Sequence, residues 1–337
     1  MNRAEAWRDK GKYFSWSPRR EDAPEVQIFH VELGDVGAPP LVLVHGFPTS
    51  SVDWFEFAER LSDRYRVCAM DFPGFGFSDK PLGWGYNLMR DAEALEFYLT
   101  EVLGLESMIL FAHDRGSSVA MIHTTSGESQ VKLEHLFLTN ANIFLPMSNL
   151  TDAQRRMLDP ETGPALLAQA TPEQLAVGMG QTTYTPQRGA DDPEIQALTT
   201  IFSHGEGLKV LHETIQYLVE RSRDEDSWLK ALAALDVPTT FIWGVYDTVS
   251  PPRVVSYVWN EYMMKKPGPN TLYFIPDANH YVQNDQPQAL VDTFLHALEA
   301  PEDTPPGAIA PTLASPLLVD RSRSELPRAA DLLKTKA

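Results

Sequence analysis

An aspartate stands where an apolar strand runs straight into a small-residue helix, in the stretch ILFAHDRGSSVAM. The corner is Ala112, His113, Asp114, Arg115 and Gly116, a small-x-nucleophile-x-Gly pattern that sets its central side chain on a sharp turn. A carboxylate there does different chemistry from a hydroxyl. With a reference pKa of about 3.9 it is ionised at neutral pH without a helper base. It can displace a leaving group from a saturated carbon directly, giving an ester that water must then cleave. Aspartate is also a favoured helix N-cap. A cap alone gives no purpose to the small residues on both sides, so Asp114 is read as the nucleophile.

Cleaving that ester takes a base, an acid to orient it and donors for the oxyanion. Ligands of open parallel sheets gather beyond the C-terminal ends of the strands, so the useful polar residues should follow strand ends. His280, in DANHYVQNDQP after the strand-like TLYFIP, is the expected general base. The other eight histidines lie on strands or helices, or beside backbone motifs. A base histidine needs a carboxylate to fix its tautomer. Asp247, in FIWGVYDTVSPP, supplies one, whereas the competing strand end LTNANIF holds only Asn140 and Asn142. The turn HGFP, His45 to Pro48, lets a backbone N–H face the nucleophile, so the N–H groups of Phe47 and Arg115 are the expected oxyanion hole. The glycines of DFPGFGFSDKP lack phosphate-loop spacing and read as a structural loop near the site. There is no HExxH and no close histidine pair, so no metal and no cofactor are expected.

These residues need a sheet to hold them. KYFSW and VQIFHVEL read as early strands, and LVLVHG, YRVCAMD, SMILFAHD, LEHLFLTNAN, TTFIWG and TLYFIP as later ones. DWFEFAERL, NLMRDAEALEFYLTEVL, SSVAMIHT and QALVDTFLHALEA have helical spacing. The alternation predicts an α/β chain with a doubly wound, mostly parallel sheet. From Phe144 to Leu235 no strong strand occurs and prolines punctuate helical pieces. The expected organisation is a core over 1–143 and 236–300, an inserted helical cap over 144–235, and an extension over 301–337. That tail is rich in Pro, Ala and Ser. It reads as surface-wrapping or partly disordered, with a short charged helix near Asp331.

Composition sets the boundaries. The 337 residues are 43% hydrophobic, enough for a sizeable core. With 28 Lys+Arg against 46 Asp+Glu, the net charge of −18 argues against nucleic acid or an anionic membrane as partner. Cys68 is the only cysteine, which excludes an intrachain disulfide and points to a reduced, cytoplasmic setting. MNRAEAWRDKGK lacks the apolar core of a signal peptide, and no apolar run approaches a membrane span.

HGFPTSS, DFPGFGFSDKP, HDRG and NHYVQ, in that order, resemble the aspartate-nucleophile branch of the α/β-hydrolase superfamily, which includes epoxide hydrolases, haloalkane dehalogenases and fluoroacetate dehalogenases. The resemblance covers about residues 10 to 300 and is nearest to the mesoderm-specific transcript group. It implies an α/β-hydrolase fold and cap residues that tell the subfamilies apart. Haloalkane dehalogenases place Asn after HG and Trp after the nucleophile; here those positions hold Phe47 and Arg115. Fluoroacetate dehalogenases share HDRG but carry a second Arg where this chain has Ser118. Epoxide hydrolases hang cap tyrosines above the nucleophile to protonate the epoxide oxygen. Tyr217, 30 residues before Asp247, matches the spacing of one, and Tyr184 is the candidate for the other. Arg115 departs from the aromatic residue usual at that place.

The resulting expectation is a cofactor-free hydrolase that turns a small apolar epoxide into a vicinal diol, with Trp54, Phe144 and Phe202 beside Phe47 in the pocket. The alternatives are a haloalkane or haloacid dehalogenase using the same nucleophile, and a non-catalytic binding protein on the same scaffold. The sequence leaves the oligomeric state open.

Overall fold

Short runs rich in Val, Leu, Ile and Phe, each bounded by turn residues, pair into one nine-stranded sheet. The computed structural model describes residues 2–19, 23–299 and 317–321. The strands are β1 (Lys12–Trp16), β2 (Val26–Leu33), β3 (Pro40–Val44), β4 (Arg66–Met70), β5 (Ser107–His113), β6 (Lys132–Thr139), β7 (Thr239–Gly244), β8 (Thr271–Ile275) and β9 (Leu317–Arg321). Their order is β1-β2-β4-β3-β5-β6-β7-β8-β9. From β4 to β8 every neighbour is parallel, while β1, β2 and β9 are antiparallel. The order reverses beside β3, so β4 lies on one side of it and β5 on the other. The crevice at such a reversal is where open sheets take ligands, and both HGFP and the aspartate turn open onto it.

Alternation along the strands divides the core. Val42, Val44, Leu110, Ala112, Leu136, Leu138, Phe241 and Trp243 face one layer. Leu41, Leu43, Phe111, Phe137, Ile242 and Tyr273 face the other. The helices are α1 (Arg3–Arg8), α2 (Phe55–Leu61), α3 (Leu88–Phe97), α4 (Arg115–Thr125), α5 (Asp152–Leu158), α6 (Thr162–Gln169), α7 (Pro172–Thr182), α8 (Pro193–Ser203), α9 (Leu211–Thr214), α10 (Tyr217–Ala234), α11 (Pro252–Val258), α12 (Val282–Asp285) and α13 (Pro287–Glu299). Helices α5 to α10 lie in the stretch between β6 and β7. Thr151 with Gln154 and Thr171 with Gln174 form capping boxes on α5 and α7. Pro172 and Pro193 open α7 and α8, where a missing N–H leaves no bond unmade.

Three features differ from the sequence reading or were absent from it. The polar N-terminus forms α1, which bridges α8 and α2: Arg3 reaches Glu194 of α8 at 2.5 Å and Glu56 of α2 at 2.7 Å. Helix α11 follows the two prolines after Asp247. Within the tail, Leu317–Arg321 is no loose extension but an antiparallel strand against β8, adding a strand to that edge of the sheet. The helix expected near Asp331 lies outside the described residues.

Trp54 was expected in the pocket. Instead it is fully buried in the layer beneath the sheet, with ring centroids 5.5 Å from Phe57 and 5.1 Å from Phe111. Trp54→Ala should therefore act as a core truncation. We expect a loss of about 3–5 kcal/mol in denaturant unfolding, with the KM of the folded fraction unchanged.

Candidate active site

The elbow is built by steric exclusion. Asp114 sits at φ 45°, ψ −119°, a conformation side chains rarely adopt. It is held from both flanks: its N–H bonds the carbonyl of Thr139 at 3.2 Å, and its own carbonyl accepts from the N–H of Ser117 at 3.1 Å. A Cβ on Gly116 would lie 2.4 Å from the carbonyl oxygen of His45, and one on Gly46 2.7 Å from Cβ of Asp114. These two glycines let the HGFP turn press against the aspartate. The N–H of Phe47 then donates to Oδ2 of Asp114 at 2.9 Å, and the N–H of Arg115 bonds the same carboxylate. The two groups expected to form the oxyanion hole thus bond this carboxylate in the resting protein, Phe47 at Oδ2. Its other oxygen, Oδ1, is 3.7 Å from Nε2 of His280.

His280 stands between two carboxylates. Its Nδ1 is 3.1 Å from Oδ2 and 3.2 Å from Oδ1 of Asp247. Asp247 is held by the N–H groups of Val249 and Ser250, both at 2.8 Å, and by Nδ2 of Asn140 at 2.7 Å. Burial would lower the His280 pKa, but Asp247, its hydrogen bond and then Asp114 outweigh burial and raise it. Burial is also the largest influence on Asp114 and lifts its pKa, against the pull of His280 and the two N–H groups. Both shifts are upward: the two neighbouring carboxylates favour the charged imidazole, while burial disfavours the charged form of Asp114.

Several supporting residues were not anticipated. Asn140 follows β6, the strand end set aside because it lacks a carboxylate. There it orients the carboxylate contributed by the next strand, so the strand-end filter had already marked it. His113 donates from Nε2 to the carbonyl of His280 at 2.9 Å, fixing the histidine loop from below. Asp285 accepts from the N–H groups of Asn279 at 2.9 Å and Thr185 at 3.0 Å, and pairs with Arg188 at 3.2 Å. It ties the histidine loop to the segment after α7, and burial pushes its pKa up to about 6.

Asp114 and His280 open into a cavity of about 370 Å³, within the range of small-molecule sites. Phe47, Met157, Leu175, Met179, Leu211 and Val249 give it apolar walls, Tyr217 and Tyr281 border it, and Gln154, Gln174 and three threonines add polar groups. Of the expected pocket and acid residues, Phe47 and Tyr217 line it, with ring centroids 5.8 Å apart. Trp54, Phe144, Phe202 and Tyr184 do not. Phe144 stacks on Tyr257 of α11 at 4.3 Å. Phe202 faces the apolar layer shared by α7 and α8. Tyr184 is buried with its ring stacked on Tyr281 at 4.9 Å, beneath the guanidinium of Arg188. Each points away because its own element packs on a neighbour there. The side chain of Arg115 also leaves the cavity: it is buried in an ion pair with Asp91.

A family model described as alpha/beta hydrolase fold matches residues 39–177. The mesoderm-specific transcript protein of Mus musculus is 29% identical over 303 residues, covering 86% of each chain. Among solved structures, the haloalkane dehalogenase DbeA from Bradyrhizobium elkani superposes with a TM-score of 0.68 at 19% identity, over 84% of this chain and 96% of its own. A structure reported among novel epoxide hydrolases in metagenomes from hot environments gives 0.65 at 20% identity, over 86% and 99%. Likeness at these identities shows the shared fold.

The two carboxylates around His280 lead to a direct test by NMR of the imidazole. Its titration midpoint should lie above the ordinary value of about 6.5, because both neighbours favour the charged ring. Asp247→Asn removes the larger favourable influence and should move the midpoint down. A midpoint unmoved by that substitution would contradict the arrangement.

Proposed function

We propose that this chain, which has the alpha/beta hydrolase fold, is an epoxide hydrolase working through a covalent ester on Asp114. What carries the reading is the shared cavity. A carboxylate, a carboxylate-backed imidazole and a tyrosine border one largely apolar space of a size for a small neutral molecule.

Oδ1 of Asp114 attacks an epoxide carbon while the C–O bond breaks toward the ring oxygen. That oxygen becomes an alkoxide, too basic to leave without a proton, and Tyr217 supplies it. Ester formation removes the negative charge of Asp114. The neutral imidazole of His280 is the base of the second step, and loss of the Asp114 charge removes one influence that would oppose that neutral form. His280 takes a proton from water, and the hydroxide adds to Cγ of Asp114. The former Oδ2 becomes the oxyanion, keeps the N–H of Phe47 and draws on that of Arg115. Collapse expels the diol and regenerates the carboxylate. Of the two water protons, one ends on the departing oxygen and the other restores Tyr217.

The dehalogenase reading has less support. A departing halide needs N–H donors near the nucleophile, and no Trp or Asn lines the cavity among the described residues. A haloacid would need a cation there, and Arg115 is committed to Asp91.

His280→Gln separates the possibilities. Mixed with a small apolar epoxide such as styrene oxide, this variant should gain the mass of one epoxide on the peptide bearing Asp114, and diol turnover should fall by on the order of 100-fold or more. Halide release from a haloalkane, with no diol from any epoxide, would replace this reading with the dehalogenase. Neither adduct nor product from either panel would favour a binding protein.

A further inference from the structure

Two buried cations lie beside the acid, and neither belongs to the steps above. Arg115 has 1% of its surface exposed and Arg221 none. Arg115 spends Nη2 on Asp91, while Nε and Nη1 have no hydrogen-bond partner. Its guanidinium carbon lies 5.5 Å from the ring centre of Tyr217, 4.9 Å from that of Phe75 and 5.8 Å from that of Phe72. Arg221 is one helical turn beyond Tyr217 on α10, hence on the same face. It donates to Oγ of Ser118 and to the carbonyl of Ile143. No carboxylate lies within ion-pair distance of it among the described residues. A cation buried without such a partner is costly to the fold, so its place calls for a reason.

An anion from the substrate does not supply that reason, since neither arginine lines the cavity. The acid does. Tyr184, the expected second acid, is stacked away from the site, and the hydroxyl of Tyr281 is directed at the carbonyl of Phe47, 3.4 Å away. Tyr217 is left as the one acid. Once it gives up its proton, a phenolate must exist in a dry site next to the aspartate.

We propose that Arg115 and Arg221 form a buried cationic seat that stabilises the Tyr217 phenolate, allowing a single tyrosine to protonate the epoxide oxygen. This rests on the epoxide hydrolase reading. Arg115 and Arg221 are then positioning residues that act through Tyr217. The charge balance agrees: burial is the largest influence raising the Tyr217 pKa and Asp114 adds to it, while Arg115, Arg221 and a hydrogen bond with Asn142 pull it down. Asp91, Glu220 and Glu225 face the two guanidiniums rather than the phenol.

The test compares single-turnover alkylation of Asp114 by propylene oxide and by its trifluoromethyl analogue, whose opened oxygen is far less basic. Arg221→Met should slow alkylation by propylene oxide ~10-fold or more, the analogue much less, and ester hydrolysis least. Arg221→Lys should restore most of the rate. The double variant Asp91→Asn with Arg115→Gln removes the second cation without leaving a buried charge unpaired, and should show the same selective loss. Equal slowing of both epoxides and of hydrolysis, or no slowing, overturns the seat. If the His280→Gln adduct never forms with any epoxide, the underlying reading falls first and the seat falls with it.

Discussion

Everything at this site depends on one backbone residue held in an unfavourable conformation. Asp114 has a positive φ that only its surroundings can enforce. The strand behind it, the helix ahead of it and the HGFP turn pressed against it through two glycines leave no other arrangement. The consequence is chemical. Oδ2 is fixed by the N–H of Phe47, while Oδ1 lies 3.7 Å from the imidazole of His280. A relaxed turn would let the carboxylate swing, and the difference between its two oxygens would be lost.

Charge is arranged around this constraint in layers. Asp247, clamped by two N–H groups and Asn140, fixes His280. Asp247 and Asp114 both favour the charged form of His280, while burial and His280 pull the Asp114 pKa in opposite directions. On the far side of the cavity, Tyr217 lies between the apolar ring of Phe47 and the guanidinium of Arg115. Opposite charges thus lie in and behind the wall of one small, largely apolar cavity, where they act more strongly than they would in water.

What the sequence discloses follows from how local each signal is. The strands are legible because their apolar runs need no tertiary context, and the elbow because its small neighbours are adjacent in the chain. The positions of His280 and Asp247 follow from the rule that functional groups gather at strand ends. Side-chain direction is another matter. Trp54, Phe144 and Phe202 are aromatic and near the site in sequence or domain, yet each is turned away by packing that only the folded chain decides. Tyr184 fails for the same reason, since its ring finds Tyr281. Nothing near it in the chain pairs with the side chain of Arg115. Its neighbour in space, Asp91, lies on another helix, and no local pattern could announce the pair. Helix α1 and strand β9 are short and marginal by themselves, and they form because other elements offer them a surface.

The central claim is that Asp114 itself forms and loses a bond in every turnover. The most direct measurement is a single turnover with excess enzyme and a small epoxide in ¹⁸O-labelled water, followed by mass analysis of the peptide that carries Asp114. The account predicts one heavy oxygen in that carboxylate and none required in the diol. Label in the diol alone, with Asp114 unlabelled, would mean that water attacks the substrate directly and would contradict the account.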